Sequence, residues 1–290
     1  SIDLDRKLYI CSQSIVNNHM FSRTLSIVIA VLLIAAVFHA PIPRESSNSP
    51  DFNQTILTPS HSVSVDPTVD SDNDGFTDAV EMAEPNLDPH RKDIIINVVS
   101  MEGLYIPPRI YDSVYTFFLR SPLDNGDGIH IHFLQYGSMR YTETTSVDEM
   151  NRHYLRTFSP DEREHQYTLY VVNDIKDTSY DPEGATHIEH QYMAVDHEPN
   201  AVEVYLTHEI GHLFGLTPSH HQAIDSFDVP YSVYPSVMNY NYFSAPSRQI
   251  QFYNGSDINE WAIMNTTLNE KHSRYNATVP DGLDRSLRNT

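Results

Sequence analysis

The sequence predicts an α/β (α+β) fold for residues 91–290, and three patterns carry that prediction. Asp93-Ile-Ile-Ile-Asn-Val-Val99 is a β-branched run suited to a central strand. Ile110 to Leu119 has helical spacing, with Ile110, Val114, Phe117 and Phe118 on one apolar side. Gly128-Ile-His-Ile-His-Phe-Leu134 alternates, the period of a strand. Its His130 and His132 share a face, and the strand pattern favours a satisfied or exposed pair over a metal site. Tyr167 to Val172 is a further strand and Gln191 to Val195 a shorter one. The polar stretch from Asp177 to His190, with His187 and His190, reads as a loop bounding a cleft. Asp257 to Leu268, including Trp261, reads as a C-terminal helix followed by a polar tail. Between these last two lies a helix whose face is Val202, Leu206, Ile210 and Leu213, with Asn200 as cap and Glu203 at the third position.

Charge and cysteine content exclude several classes. There are 18 Lys+Arg against 39 Asp+Glu, and 18 − 39 gives −21 over 290 residues. Phosphates repel such a chain, so a nucleic-acid partner is not expected. Abundant carboxylates with four lysines (Lys7, Lys92, Lys176 and Lys271) resemble the surface of a protein from a halophilic archaeon. A single cysteine, Cys11, excludes a disulfide framework or a thiolate zinc cluster within one chain.

Residues 1–40 read as a signal peptide or signal anchor, with 1–19 upstream of the true start if that start is Met20. The apolar run Leu25 to Phe38, preceded by Arg23, is shorter than the roughly 20 residues a membrane span needs. It suits an export signal, retained or not as a membrane anchor, and puts the protein outside the cell or on the outer face of its membrane. Residues 41–65 are Pro-, Ser-, Asn- and Thr-rich and read as a disordered linker. Sequons begin at Asn53, Asn254, Asn265 and Asn276, candidate glycan sites in an exported chain.

Residues 66–90 form an acidic segment. Within it, Asp70-Ser-Asp72-Asn-Asp74-Gly75-Phe76-Thr-Asp78-Ala-Val-Glu81 fits a twelve-position calcium loop. Asp70, Asp72 and Asp74 supply carboxylates, Gly75 the sharp turn, Phe76 a carbonyl, Asp78 a water-mediated contact and Glu81 a bidentate closure. Carboxylates this dense repel one another without a cation. The loop resembles the short calcium loops of thrombospondin type 3 repeats.

Thr207-His208-Glu209-Ile-Gly-His212-Leu-Phe-Gly215 contains H-E-x-x-H. Histidines four apart on a helix project from one side and can grip one zinc ion, with Glu209 as general base rather than ligand. Gly215 allows a sharp turn after the helix, and Ser236-Val-Met238-Asn-Tyr240 follows downstream. Over residues 205–241 the chain resembles the metzincin metalloproteases, in particular exported haloarchaeal members. The resemblance implies a twisted mixed sheet with flanking helices, zinc ligation by His208 and His212, Met238 as the turn methionine and Tyr240 as oxyanion donor. Where the family carries its third ligand, this chain has Pro218. His220 is favoured instead, with His221 and Asp225 as alternatives. The resemblance further implies peptide-bond hydrolysis by zinc-activated water, with a protein or peptide substrate pairing to an edge strand such as Gln191 to Val195 in a monomeric enzyme. No cysteine follows the signal, so a propeptide thiol cannot enforce latency as in matrixins. The alternative is a catalytically inactive zinc- and calcium-binding cell-envelope protein.

Overall fold

The computed structural model describes residues 8–11, 66, 68–123, 128–176, 184–197, 201–244, 249–272 and 283. The apolar run 25–38 and the linker 41–65 lie outside them. Among the described residues no helix is long and apolar enough to cross a membrane.

The elements in chain order are β1 (Leu8–Cys11), α1 (Asp78–Glu81), β2 (Lys92–Met101), α2 (Pro108–Leu119), β3 (Ile129–Met139), α3 (Val147–Thr157) and α4 (Pro160–His165). Then come β4 (Tyr167–Val172), β5 (Gly184–His187), β6 (Tyr192–Asp196), α5 (Val202–Leu213) and α6 (Glu260–His272). The strands form one mixed sheet in the order β1-β5-β6-β4-β2-β3. β2 runs parallel to β3 and β4, and β4 parallel to β6. β5 is antiparallel to β6, and β1 antiparallel to β5. Helices and strands therefore share one mixed α/β architecture.

Every residue of β2 is buried, which explains its unbroken β-branched character: a central parallel strand is covered on both faces. On one face Ile94, Ile96 and Val98 meet Ile129, Ile131 and Phe133 of β3 and the apolar sides of α2, α5 and α6. On the other, Val99 and Met101 pack with Met150 and Tyr154 of α3, while Ile95 and Leu134 meet Phe76 and Leu87 of the acidic segment. The sheet thus separates α5 on one side from the acidic loop on the other.

Several expectations need revision. The segment Gln191 to Val195 is not an edge: β6 lies between β4 and β5 and is hydrogen-bonded on both sides. The polar stretch before it is not all loop, since Gly184–His187 is strand β5. That strand's outer side carries β1, in a region read from the sequence as part of the export segment. The C-terminal helix starts at Glu260 rather than Asp257 and continues to His272. Asn254 is exposed and Asn265 half-buried within α6, whereas Asn53 and Asn276 lie outside the described residues.

Candidate metal centre

Burial rather than capping holds α5. Ala201 occupies the N-cap without a side-chain hydrogen bond, and Asn200 lies outside the described residues. Glu203 does not close a capping box; its carboxylate accepts from the Ser113 hydroxyl of α2. Tyr205 to Leu213 are all buried, so a helix with no cap is fixed by its packing on β5, β6 and α2.

The two histidines of α5 are aimed by backbone carbonyls. Nδ1 of His208 lies 3.0 Å from the Val237 carbonyl, and Nδ1 of His212 lies 2.8 Å from that of Leu216. Donation to these carbonyls leaves the lone pair on each Nε2. The Leu216 carbonyl is in place because Gly215 adopts φ +98° and Leu216 N–H bonds back to the Gly211 carbonyl at 3.0 Å. This left-handed closure of the helix turns the chain towards the ring it must hold.

The Nε2 atoms of His208 and His212 are 3.0 Å apart. Oδ1 of Asp225 lies 3.2 Å from the first and 3.1 Å from the second. Ligand atoms around a tetrahedral zinc at ordinary bond lengths are about 3.3 Å apart, so these three fit around one ion. Burial works against ionisation of Asp225, but the adjoining imidazoles outweigh it and hold the carboxyl below the usual carboxylate range. The oxygen is thereby kept in the anionic form that a cation requires.

The third member of this cluster is therefore Asp225, where the sequence favours His220. His220 is exposed and its Nδ1 accepts from the Thr217 backbone N–H at 3.2 Å. His221 stacks on Tyr234 at 4.4 Å, with its Nε2 3.3 Å from Asp257. The loop 216–225 folds back because Asp225 N–H donates to the Met238 carbonyl at 2.9 Å. Asp225 takes φ +55° to do so, a left-handed conformation that Asp tolerates better than most residues.

Met238 is fully buried, with its sulfur against Gly211 of the helix. Tyr240 stacks beside His208, with ring centroids 5.9 Å apart and planes 23° apart. The turn holding both is anchored from α6. Glu260, fully buried, accepts from the Tyr234 hydroxyl at 2.7 Å, from Ser236 Oγ at 2.6 Å and from the Tyr253 backbone N–H. Ser236 Oγ in turn accepts from Met238 N–H at 3.0 Å. Nothing local in the sequence marks Glu260, because its partners lie in a different segment.

Glu209 is fully buried beneath β5. Its Oε2 accepts from Thr186 Oγ1 at 2.6 Å, while Oε1 has no hydrogen-bond partner. A Cβ at position 184 would meet this carboxylate, so glycine lets the strand lie over Glu209 without displacing its side chain. Burial pushes the Glu209 carboxyl up to about 8, against the pull of His208 and of the Thr186 hydrogen bond.

The acidic loop on the opposite face has the expected turn, with Asn73 at φ +60° and Gly75 at φ +97°. Oxygens of Asp70, Asp72 and Asp74 come together, as do those of Asp74, Glu81 and Asp93. Asp93 is an addition that the loop pattern does not contain. Asp78 turns aside: both its oxygens accept from Ser71, at 2.8 Å each. Phe76 is buried in the small core beneath the loop. Lys92 Nζ reaches the Asp72 and Asn73 carbonyls. Both Glu81 oxygens and Oδ2 of Asp72 are buried with no hydrogen-bond partner, and oxygens in that condition suit a hard cation.

Burial, aided by neighbouring carboxylates, raises the Asp72 carboxyl to about 8 and that of Glu81 to about 9. A carboxyl raised above its unfolded value favours the fold below the unfolded pKa, and that contribution is lost as pH rises through the folded pKa. Cation-free stability should accordingly fall between about pH 4 and pH 9. A cation held by these oxygens would compete with those protons, so if the loop takes calcium, adding it should raise the melting temperature more at pH 8 than at pH 5. Scanning calorimetry with and without calcium checks this, and an equal or smaller shift at pH 8 would contradict it.

No protein-family model matches the sequence, and no curated protein matches it. One similar solved chain comes from the structure of a chaperone–substrate complex, with 16% identity and a TM-score of 0.38. The match covers 64% of this chain and 36% of that one, so the chain spans about a third of its neighbour's length.

Proposed function

We propose that this chain is an exported zinc-dependent endopeptidase of metzincin type. The observation that carries the reading is the convergence of His208 Nε2, His212 Nε2 and Asp225 Oδ1 within 3.2 Å, beside the buried carboxylate of Glu209. His208, His212 and Asp225 would hold the ion. When bound, zinc supplies Lewis-acid polarisation of a carbonyl and makes water more acidic.

The residues of the chain do the rest. Glu209 takes a proton from the attacking water and delivers it to the amine nitrogen as the peptide bond breaks. Burial raises its affinity for that proton, and the Thr186 hydroxyl holds one oxygen still while the other has no hydrogen-bond partner. Tyr240, stacked beside His208, is the candidate donor to the oxyanion. The Met238 turn and Glu260 act as positioning groups. An extended peptide is taken up along β5, the strand over Glu209, as an added strand. In the full chain that edge carries β1, through Leu8↔His187 to Cys11↔Gly184, and an enzyme without β1 leaves it free.

An anchor spanning 25–38 would put a bilayer between Leu8–Cys11 and the sheet, so β1 and such an anchor are mutually exclusive. The exported enzyme we propose is the sheet from β2 onward, acting outside the cell in saline surroundings. Hydrolysis of a denatured protein in high salt should cease on chelation and return with added zinc. A folded, zinc-loaded chain that cleaves nothing in a broad peptide mixture would favour the inactive cell-envelope alternative.

A further inference from the structure

The sequence treats His130 and His132 as a satisfied or exposed pair, and the zinc reading leaves them without a task. The sheet register gives them a third partner. β2 and β3 pair in parallel with Asp93 opposite His130 and Ile95 opposite His132. Side chains two apart on a strand share a face, so Asp93, His130 and His132 stand together on the face covered by the acidic segment.

Their donor atoms converge. Oδ1 of Asp93 lies 2.5 Å from His132 Nε2 and 2.8 Å from His130 Nδ1. The contact to His130 lacks hydrogen-bond alignment, and that Nδ1 is buried with no hydrogen-bond partner. The side chains are 0%, 1% and 13% exposed for Asp93, His132 and His130. Asp93 is held on its other side: Oδ2 accepts from Asp88 N–H at 2.8 Å, and its own N–H donates to Asp74 Oδ2 at 2.6 Å. The carboxylate is therefore fixed with one oxygen facing two imidazoles.

Charge points the same way. Asp70, Asp72, Asp74, Asp78, Glu81 and Asp93 bring six negative charges when ionised, and Lys92 brings one positive, so −6 + 1 leaves −5 among the loop acids, Asp93 and Lys92. One calcium ion in the loop would leave −3. Both Glu81 oxygens remain buried without a hydrogen-bond partner beside Asp93.

We propose that Asp93, His130 and His132 form a second metal site, for a zinc-like transition-metal dication, adjoining the acidic loop through Asp93. Imidazole nitrogen selects a borderline metal of this kind, whereas calcium and magnesium take oxygen. Asp93 and His132 are buried, His130 is 13% exposed, and the site lies across the sheet from α5, so an ion held here would be structural. It pins the acidic segment to β2 and β3, with Asp93 joining a nitrogen-rich site to an oxygen-rich one. This assignment does not depend on the peptidase reading.

The test is zinc stoichiometry of the full chain, loaded with zinc in excess calcium and freed of unbound metal. The wild type should hold about two zinc ions per chain, and His130→Gln/His132→Gln about one. His208→Ala/His212→Ala should also hold about one. Glutamine amides can still donate to Asp93, and far-UV circular dichroism reports whether that variant is folded. A variant that does not fold is bypassed by loading His208→Ala/His212→Ala with cobalt. Visible cobalt bands from a nitrogen-ligated ion should persist there, and their absence overturns the proposal. Two zinc ions retained in His130→Gln/His132→Gln also overturn it, as does a single wild-type zinc that only the α5 substitutions remove. Loss of all zinc with the His130/His132 change alone would uphold this site and remove the one proposed on α5.

Discussion

Asp225→Ala is expected to strip zinc from the α5 site, lowering affinity by at least about 100-fold, and to abolish zinc-dependent hydrolysis. Removing a group that merely orients a ligand already costs 10- to 100-fold in typical sites, and Asp225 supplies an oxygen 3.1–3.2 Å from both histidine nitrogens. A 100-fold loss corresponds to about 2.7 kcal/mol of binding. Alanine also suffers at φ +55°, by roughly 1–2 kcal/mol, so part of the effect would be conformational. Asp225→Asn separates the two contributions, because asparagine accepts the left-handed backbone while losing the charge. It should fold like the wild type and still bind zinc more weakly. His220→Ala and His221→Ala should leave the zinc content of the α5 site unchanged. Intact zinc in both Asp225 variants, with loss in His220→Ala, would reverse this assignment.

The second large effect is on stability. Glu260→Ala should cost about 3–5 kcal/mol and lower the melting temperature by about 10 °C. The side chain is fully buried and accepts from Tyr234, Ser236 and Tyr253. Alanine would leave the buried Tyr234 and Ser236 hydroxyls and the half-buried Tyr253 N–H without their acceptor, at about 1–3 kcal/mol for each buried donor before relaxation. Burial alone pushes the Glu260 carboxyl up, and these donors bring it back only to about 7. Glu260→Gln, which keeps one accepting oxygen, should cost less than Glu260→Ala. Because Ser236 also receives the Met238 N–H, the loss should loosen the turn beneath the histidines as well. Calorimetry of the two variants decides, and a melting temperature unchanged in Glu260→Ala would contradict the anchoring role.

What the sequence reveals and what it hides divide along physical lines. β2 is legible because burial on both faces demands an unbroken apolar run. The loop from Asp70 to Glu81 is legible because its spacing is local, as is the H-E-x-x-H helix. Asp225 is not, because its place depends on a loop folding back onto the Met238 carbonyl, a contact between distant segments. Strand β5 escapes notice because Gly-Ala-Thr-His has little strand propensity; pairing with β6 and closure over Glu209 make it a strand. The grouping of Asp93 with His130 and His132 needs the parallel register, which alternation within one strand cannot supply. Helix α3 carries a locally readable signal, the capping box Ser146 to Glu149, which the structure forms.

The most direct test of the central claim compares zinc-loaded wild type with Glu209→Gln on a denatured protein in high salt, mapping new termini by mass spectrometry. Glutamine is nearly isosteric and leaves His208, His212 and Asp225 in place, so both proteins should carry zinc on α5. The wild type should make internal cuts, and the variant should be slower by about 10²- to 10⁴-fold, the usual worth of a general base. Equal cleavage by both, or none by a wild type with zinc bound, would contradict the account.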